Sequence, residues 1–160
     1  MITHLDKKNR PTIVDISKKK ITTRIAIAEG SIQFLKSTFK KIESLKTKKG
    51  EIKNIAIISG IIAAKKTSEL IPLCHNIEIE NINIVIKLLK RSSSLKVIST
   101  VKTRSKTGVE MEALTSVSIA CLTIYDMCKS LDKKITIKDI HLVKKSGGKS
   151  DYSNKKIKQR

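Results

Sequence analysis

The sequence predicts an α+β protein in one domain: a four-stranded antiparallel sheet with helices packed on one face. Three observations carry this. Apolar and other residues alternate from Thr22 to about Phe34, as in a half-buried strand. Apolar residues recur at spacings of three and four from Leu114 onward, as on one face of a helix. Two β-rich runs, about Ile77 to Leu89 and Leu95 to Thr103, are separated by Arg91-Ser92-Ser93-Ser94, which reads as an antiparallel hairpin. At 160 residues and 39% hydrophobic composition, one core can be filled.

Taken in order, residues 1 to about 20 are polar and lysine-rich and read as a flexible arm that orders only against something else. In the first strand Ile25 and Ile27 lie on one side, and Arg24, Ala26 and Ala28 on the other, with Gly30 as the place for a bend. Ser37 suits the N-cap of a short helix whose face is Phe39, Ile42 and Leu45 and which ends at Lys48-Lys49-Gly50. A second helix follows from about Glu51 to Thr67, with Ile55, Ile58 and Ile62 on one side and Ile57, Ile61 and Ala64 near the other; Gly60 inside it permits close packing. Pro72 then stops the chain from continuing as helix. After the hairpin and the long helix, a last strand covers about Ile135 to Val143, and residues 151–160 read as a flexible tail. The order β, α, α, β, β, α, β matches a ferredoxin-like sandwich.

The long helix is unusual in having no polar face. Leu114, Val117, Cys121, Ile124, Cys128 and Leu131 line one side, while Ile119, Leu122 and Met127 keep the other apolar, which predicts cover all round. Asp126 and Lys129, three residues apart, share one edge of it. Such a pair is by default a surface ion pair, but without a polar face around it the pair should be partly desolvated and its protonation equilibria shifted. Upstream, Glu110 and Glu112 flank Met111. An extended chain through about Met111 would place both carboxylates on one side; a helix starting from the Thr107 capping-box pattern would separate them by more than half a turn. The weak helix formers Gly108 and Val109 favour the extended reading.

A formal charge of +20, from 34 Lys+Arg against 14 Asp+Glu, points to nucleic acid, an anionic membrane or a phosphorylated substrate. The lysines are scattered, and aromatics at 2% leave few stacking platforms for single-stranded nucleic acid. Cys74, Cys121 and Cys128 form no CxxC pair and read as reduced thiols of a cytoplasmic protein; with His4, His75 and His141 they show no zinc-ligand spacing. No secretory h-region and no membrane-length apolar run is present in the sequence. Ser146-Gly147-Gly148-Lys149-Ser150 is not a P-loop, because Val143 stands where the first glycine is needed and no helix follows. Two glycines beside Lys145 and Lys149 suit either an anion-binding turn or a solvated basic linker. His75, in an apolar loop marked by Pro72, is either a structural residue or a site residue. Together these lysines, His75, the two glutamates and the Asp126–Lys129 pair suggest a pocket that holds a phosphorylated compound and moves protons on it.

Three segments carry a resemblance. TSELIPLCH (67–75), KTGVEMEALTSVSIACLTIYDMCK (106–129) and KSGGKS (145–150) closely resemble the cyclic pyranopterin monophosphate synthase family, the MoaC proteins of molybdenum cofactor biosynthesis, and the likeness runs from about Val14 to Ser150. The resemblance implies a ferredoxin-like subunit in a homohexamer of three dimers, with active sites at dimer interfaces. It implies a cytoplasmic lyase that converts 3',8-cyclo-7,8-dihydro-GTP to cyclic pyranopterin monophosphate with release of pyrophosphate, downstream of a radical S-adenosylmethionine GTP cyclase. No metal, organic cofactor, membrane or specific nucleic acid is implied. By motif, the catalytic positions fall on Asp126, Lys49 and Lys129, and the substrate contacts on Leu73, Cys74, His75, Glu110, Met111, Glu112 and Lys145. Asn76, Ile27 and Asp151 depart from the family's usual proline, second arginine and glycine.

Overall fold

The computed structural model describes residues 4–43, 46–47 and 50–154. Strand β1 (Thr22–Gln33) leads into helix α1 (Lys36–Ile42), a two-residue hairpin of β2 (Lys46–Thr47) and β3 (Gly50–Glu51), helix α2 (Ile52–Lys65) and the single turn α3 (Thr67–Leu70). Strands β4 (Asn81–Leu89) and β5 (Ser94–Ser105), the long helix α4 (Glu110–Cys128), β6 (Thr136–Ser146) and the short β7 (Tyr152–Ser153) complete it. The sheet has five strands in the order β4-β5-β1-β6-β7, every pairing antiparallel. Its four long strands are those expected from the sequence, and the open α+β sheet agrees with ferredoxin-like packing. The fifth strand arises because the chain turns after Ser146 and pairs again, Lys144 with Ser153 and Lys145 with Tyr152.

The strand alternation decides what faces the helices. Ala26, Ala28 and Ile32 of β1 pair with Val101, Ser99 and Leu95 of β5, and all six are buried. Helices α2 and α4 pack together, α4 over β1, β5 and β6 and α2 over β4. Two glycines set how close α4 comes. A Cβ on Gly30 would lie 2.8 Å from Val117 Cγ1, and one on Gly60 would lie 3.0 Å from the Ser116 carbonyl oxygen. Val117, Cys121, Ile124 and Cys128 of α4 are buried as expected, whereas Leu131, expected on the same face, lies past the end of the helix and is exposed.

Several local readings need correction. The buried side of α2 is Ile52, Ala56, Gly60, Ala63 and Ala64, whereas Ile58 and Ile62 are 57% and 50% exposed. A close helix crossing admits small residues and turns the branched ones outward. The N-cap of α1 is Leu35, so Ser37 lies inside the first turn, and Leu45 is outside the described residues. Helix α4 begins at Glu110, with Val109 as N-cap and the Ala113 amide donating to its carbonyl, so the chain is not extended through Met111. Nor is α4 covered all round within one chain: Leu122 is 52% exposed. Helix α4 is long and apolar enough to cross a membrane by length and composition, but it fills the core of this fold.

Candidate active site

Helix α4 carries functional groups at both ends, and its first turn is the more enclosed. Leu73, Cys74, His75, Glu110, Met111 and Glu112 line one cavity of about 210 Å³. The α3–β4 loop brings the first three to the α4 N-terminus, since α2 leads away from its Gly60–Ser116 crossing towards that end. His75 and Glu110 also border an adjoining groove of about 630 Å³, whose walls include Arg24, Lys106, Lys145 and Lys149. Seven of the ten residues singled out by motif therefore meet at one place.

Starting the helix at Glu110 gives its two acids different surroundings, because two helical positions turn the side chain by roughly 200°. The Glu110 carboxylate folds back over Gly108, where a Cβ would collide with it, and lies 3.3 Å from Lys145 Nζ. Glu112 points into the protein and is 4% exposed. Burial raises its pKa to about 7, helped by the charge of Glu110 and opposed by its own backbone N–H. Near neutrality Glu112 is thus divided between acid and carboxylate, suited to proton transfer. Burial, then Glu112, also raises the Cys74 thiol, so Cys74 acts here as an apolar wall and not as a nucleophile. His75 Nε2 lies 2.7 Å from the Val14 carbonyl oxygen, which can only accept, so Nε2 carries the proton.

The groove is built for an anion. Among the described residues, Glu110 is the one carboxylate along its wall, against six cations, the four named above with Lys19 and Lys20. Arg24 stands at the end of β1, where Nε and Nη2 donate to the Ser105 and Lys106 carbonyls at 3.3 and 3.4 Å. A Cβ on Gly148 would lie 2.6 Å from Arg24 Nη1, so the glycine turn leaves room for the guanidinium. Gly147 holds φ +85°, a value other residues rarely adopt. Its amide donates to Asp151 Oδ1 at 3.0 Å; the aspartate that replaces the family's glycine thus takes up one N–H of the turn. Arg24 was not among the candidates read from sequence. The available signal was a charged residue on the helix-facing side of an otherwise alanine-lined strand.

Asp126 and Lys129 are elsewhere. Their ion pair is formed at 2.8 Å and raises the Lys129 pKa through that hydrogen bond, but the side chains are 60% and 59% exposed, so the predicted desolvation is not met within one chain. The pair sits at the C-terminal end of α4, about 21 Å from Glu112 at 1.5 Å per residue. Lys49 lies outside the described residues.

Fold and site together define an α+β protein with a cation-lined groove, suited in charge to an anionic group, and a cavity beside it that holds two acids. Residues 13–148 match the MoaC family. The protein named "Cyclic pyranopterin monophosphate synthase" from Helicobacter pylori strain G27 is 52% identical over 157 residues, covering 98% of this chain and 99% of its own. Proteins of the same name from Clostridium botulinum strain Alaska E43 and Clostridium acetobutylicum are 51% and 48% identical, over 94% of this chain and 96% and 93% of theirs. The chain belongs to the MoaC family.

Proposed function

We propose that this protein is a cyclic pyranopterin monophosphate synthase of molybdenum cofactor biosynthesis, a cytoplasmic lyase that rearranges 3',8-cyclo-7,8-dihydro-GTP and releases pyrophosphate. The observation that carries the reading is the meeting of the motif residues in a groove of cations that opens onto a cavity holding a carboxyl poised near neutral pH. A triphosphate that cyclises at one phosphorus and expels the other two builds negative charge on the departing oxygens; Arg24 and Lys145, each held by its own partners, stabilise that charge, and Lys149 adds positive charge beside them. Glu112 and His75, at the enclosed end, hold and exchange protons with the heterocycle as the purine ring opens and the pterin closes.

The roles of Asp126 and Lys129 require a second copy. Asp126 and Lys129 sit a helix length from Glu112, too far to act on the same reacting centre, and they are open to solvent. A site shared between two subunits brings the C-terminal end of one α4 to the N-terminal end of another, in a homohexamer of three dimers. That arrangement would desolvate the Asp126–Lys129 couple and cover Leu122; Lys49 is the remaining catalytic position that the family resemblance implies. The direct test is incubation with the cyclised dihydro-GTP, supplied by a radical S-adenosylmethionine GTP cyclase, followed by detection of pyrophosphate and the pterin. Formation of both in a 1:1 ratio is expected; substrate left unchanged by the intact oligomer contradicts the assignment.

A further inference from the structure

Residues 4–20 are fastened across the candidate site. Val14 accepts from His75 Nε2 at 2.7 Å, and Ser17 accepts from Lys106 Nζ at 2.8 Å. Further back the arm folds on itself. Leu5 bridges to Pro11, the Thr12 amide donates to the His4 carbonyl at 3.0 Å, and the Asp6 carboxylate gathers the backbone amides of Lys8 and Arg10 and the Arg10 guanidinium. The end of this hairpin places His4 where the two cavities join, on the wall of both. Its Nδ1 is buried without a hydrogen-bond partner. A buried imidazole nitrogen left unpaired is costly unless something else completes it.

We propose that the arm is part of the substrate site and that His4 contacts the bound heterocycle through Nδ1. This rests on the functional reading above. In the smaller cavity His4 stands with Cys74, Met111 and Glu112, while Arg24, Lys145 and Lys149 line the groove and not this cavity. The phosphates therefore belong to the groove and the ring system to the His4 end, where apolar walls and a few polar groups suit a heterocycle. The same arm sets the proton of His75 on Nε2, leaving its Nδ1 as an acceptor in the neutral ring. Arm closure thus orients one imidazole and delivers another.

The experiment compares pyrophosphate release from the cyclised dihydro-GTP by the intact oligomer of the wild type, His4→Phe and His4→Asn. Phenylalanine fills the space without a nitrogen; asparagine returns a polar group near the position of Nδ1. One lost hydrogen bond to the ligand predicts a fall in kcat/KM of about tenfold in His4→Phe, carried mainly by KM. His4→Asn is expected within about threefold of wild type on the same scale. Tryptic cleavage after Lys7 and Lys8 reports whether the arm remains seated, and bound ligand should slow it. An active wild type with His4→Phe unchanged, or with His4→Asn as impaired as His4→Phe, overturns this proposal alone. A wild type that releases no pyrophosphate overturns the functional reading, and this proposal with it.

Discussion

The two ends of α4 make opposite use of the same helix. At the N-terminal end, Glu112 is 4% exposed, Glu110 is paired with Lys145, and a loop, a strand end and the N-terminal arm close around them. At the C-terminal end, Asp126 and Lys129 pair in the open, with Leu122 and Leu131 exposed beside them. One chain therefore builds a nearly complete binding pocket and leaves a charged pair set in uncovered apolar surface. An exposed ion pair on a helix contributes little to stability, so folding alone gives little reason for it. Its value must come from what it meets.

The largest effect should come from breaking that open pair. Asp126→Ala and Lys129→Ala are each expected to lower turnover by several orders of magnitude while shifting the melting temperature by about 2 °C or less, as loss of a surface pair allows. Steady-state assay beside thermal unfolding checks this. A pair that only decorates the surface would leave both quantities unchanged.

A smaller change is expected at the closed end. Arg24→Ala removes a planar donor set from the groove and should raise KM by about tenfold to a hundredfold, the loss of a charge-assisted phosphate contact. Replacement by lysine should recover only part of it, since the fork geometry is absent. Titration of the variants with substrate separates KM from kcat.

The smallest effect concerns stability and pH. The folded pKa of Glu112, about 7, lies above its ordinary 4.5. Its contribution is therefore fully present below about pH 4.5 and is lost as pH rises through about 7. Glu112→Gln cannot ionise and should be more stable than wild type at pH 8 by on the order of 2 kcal/mol, with the difference vanishing by pH 4. Denaturant unfolding at the two pH values reads this out; equal stability at both would mean that the carboxyl is not desolvated.

Much of this was legible in the residues. Alternation from Thr22 to about Phe34 matches β1 to within a residue, the three-and-four spacing identified most of the core face of α4, and Gly60 announced a close crossing. The separation of Asp126 from Glu112 runs against the one pocket that the residues suggested, because α4 already starts at Glu110. What escaped was whatever depends on neighbours distant in sequence. The isoleucines of α2 outrank its alanines in hydrophobicity, yet the Gly60–Ser116 approach leaves room for the small residues and expels Ile58 and Ile62. Gly108 and Val109 are poor helix formers, but they stand just before the first turn, where propensity has little say, and α4 starts at Glu110 regardless. Arg24 looked like one more strand residue; only the return of the Gly147–Gly148 turn beside it makes it a groove cation.

The shared site is most directly tested by complementation. Asp126→Ala subunits and Glu112→Ala subunits are each expected to be inactive alone, and they are then co-assembled at equal amounts. If opposite ends of α4 from two chains meet in one site, random pairing across a two-fold interface leaves roughly a quarter of the sites intact, and about that share of wild-type pyrophosphate release should return. No recovery, in oligomers shown to contain both variants, would contradict the account.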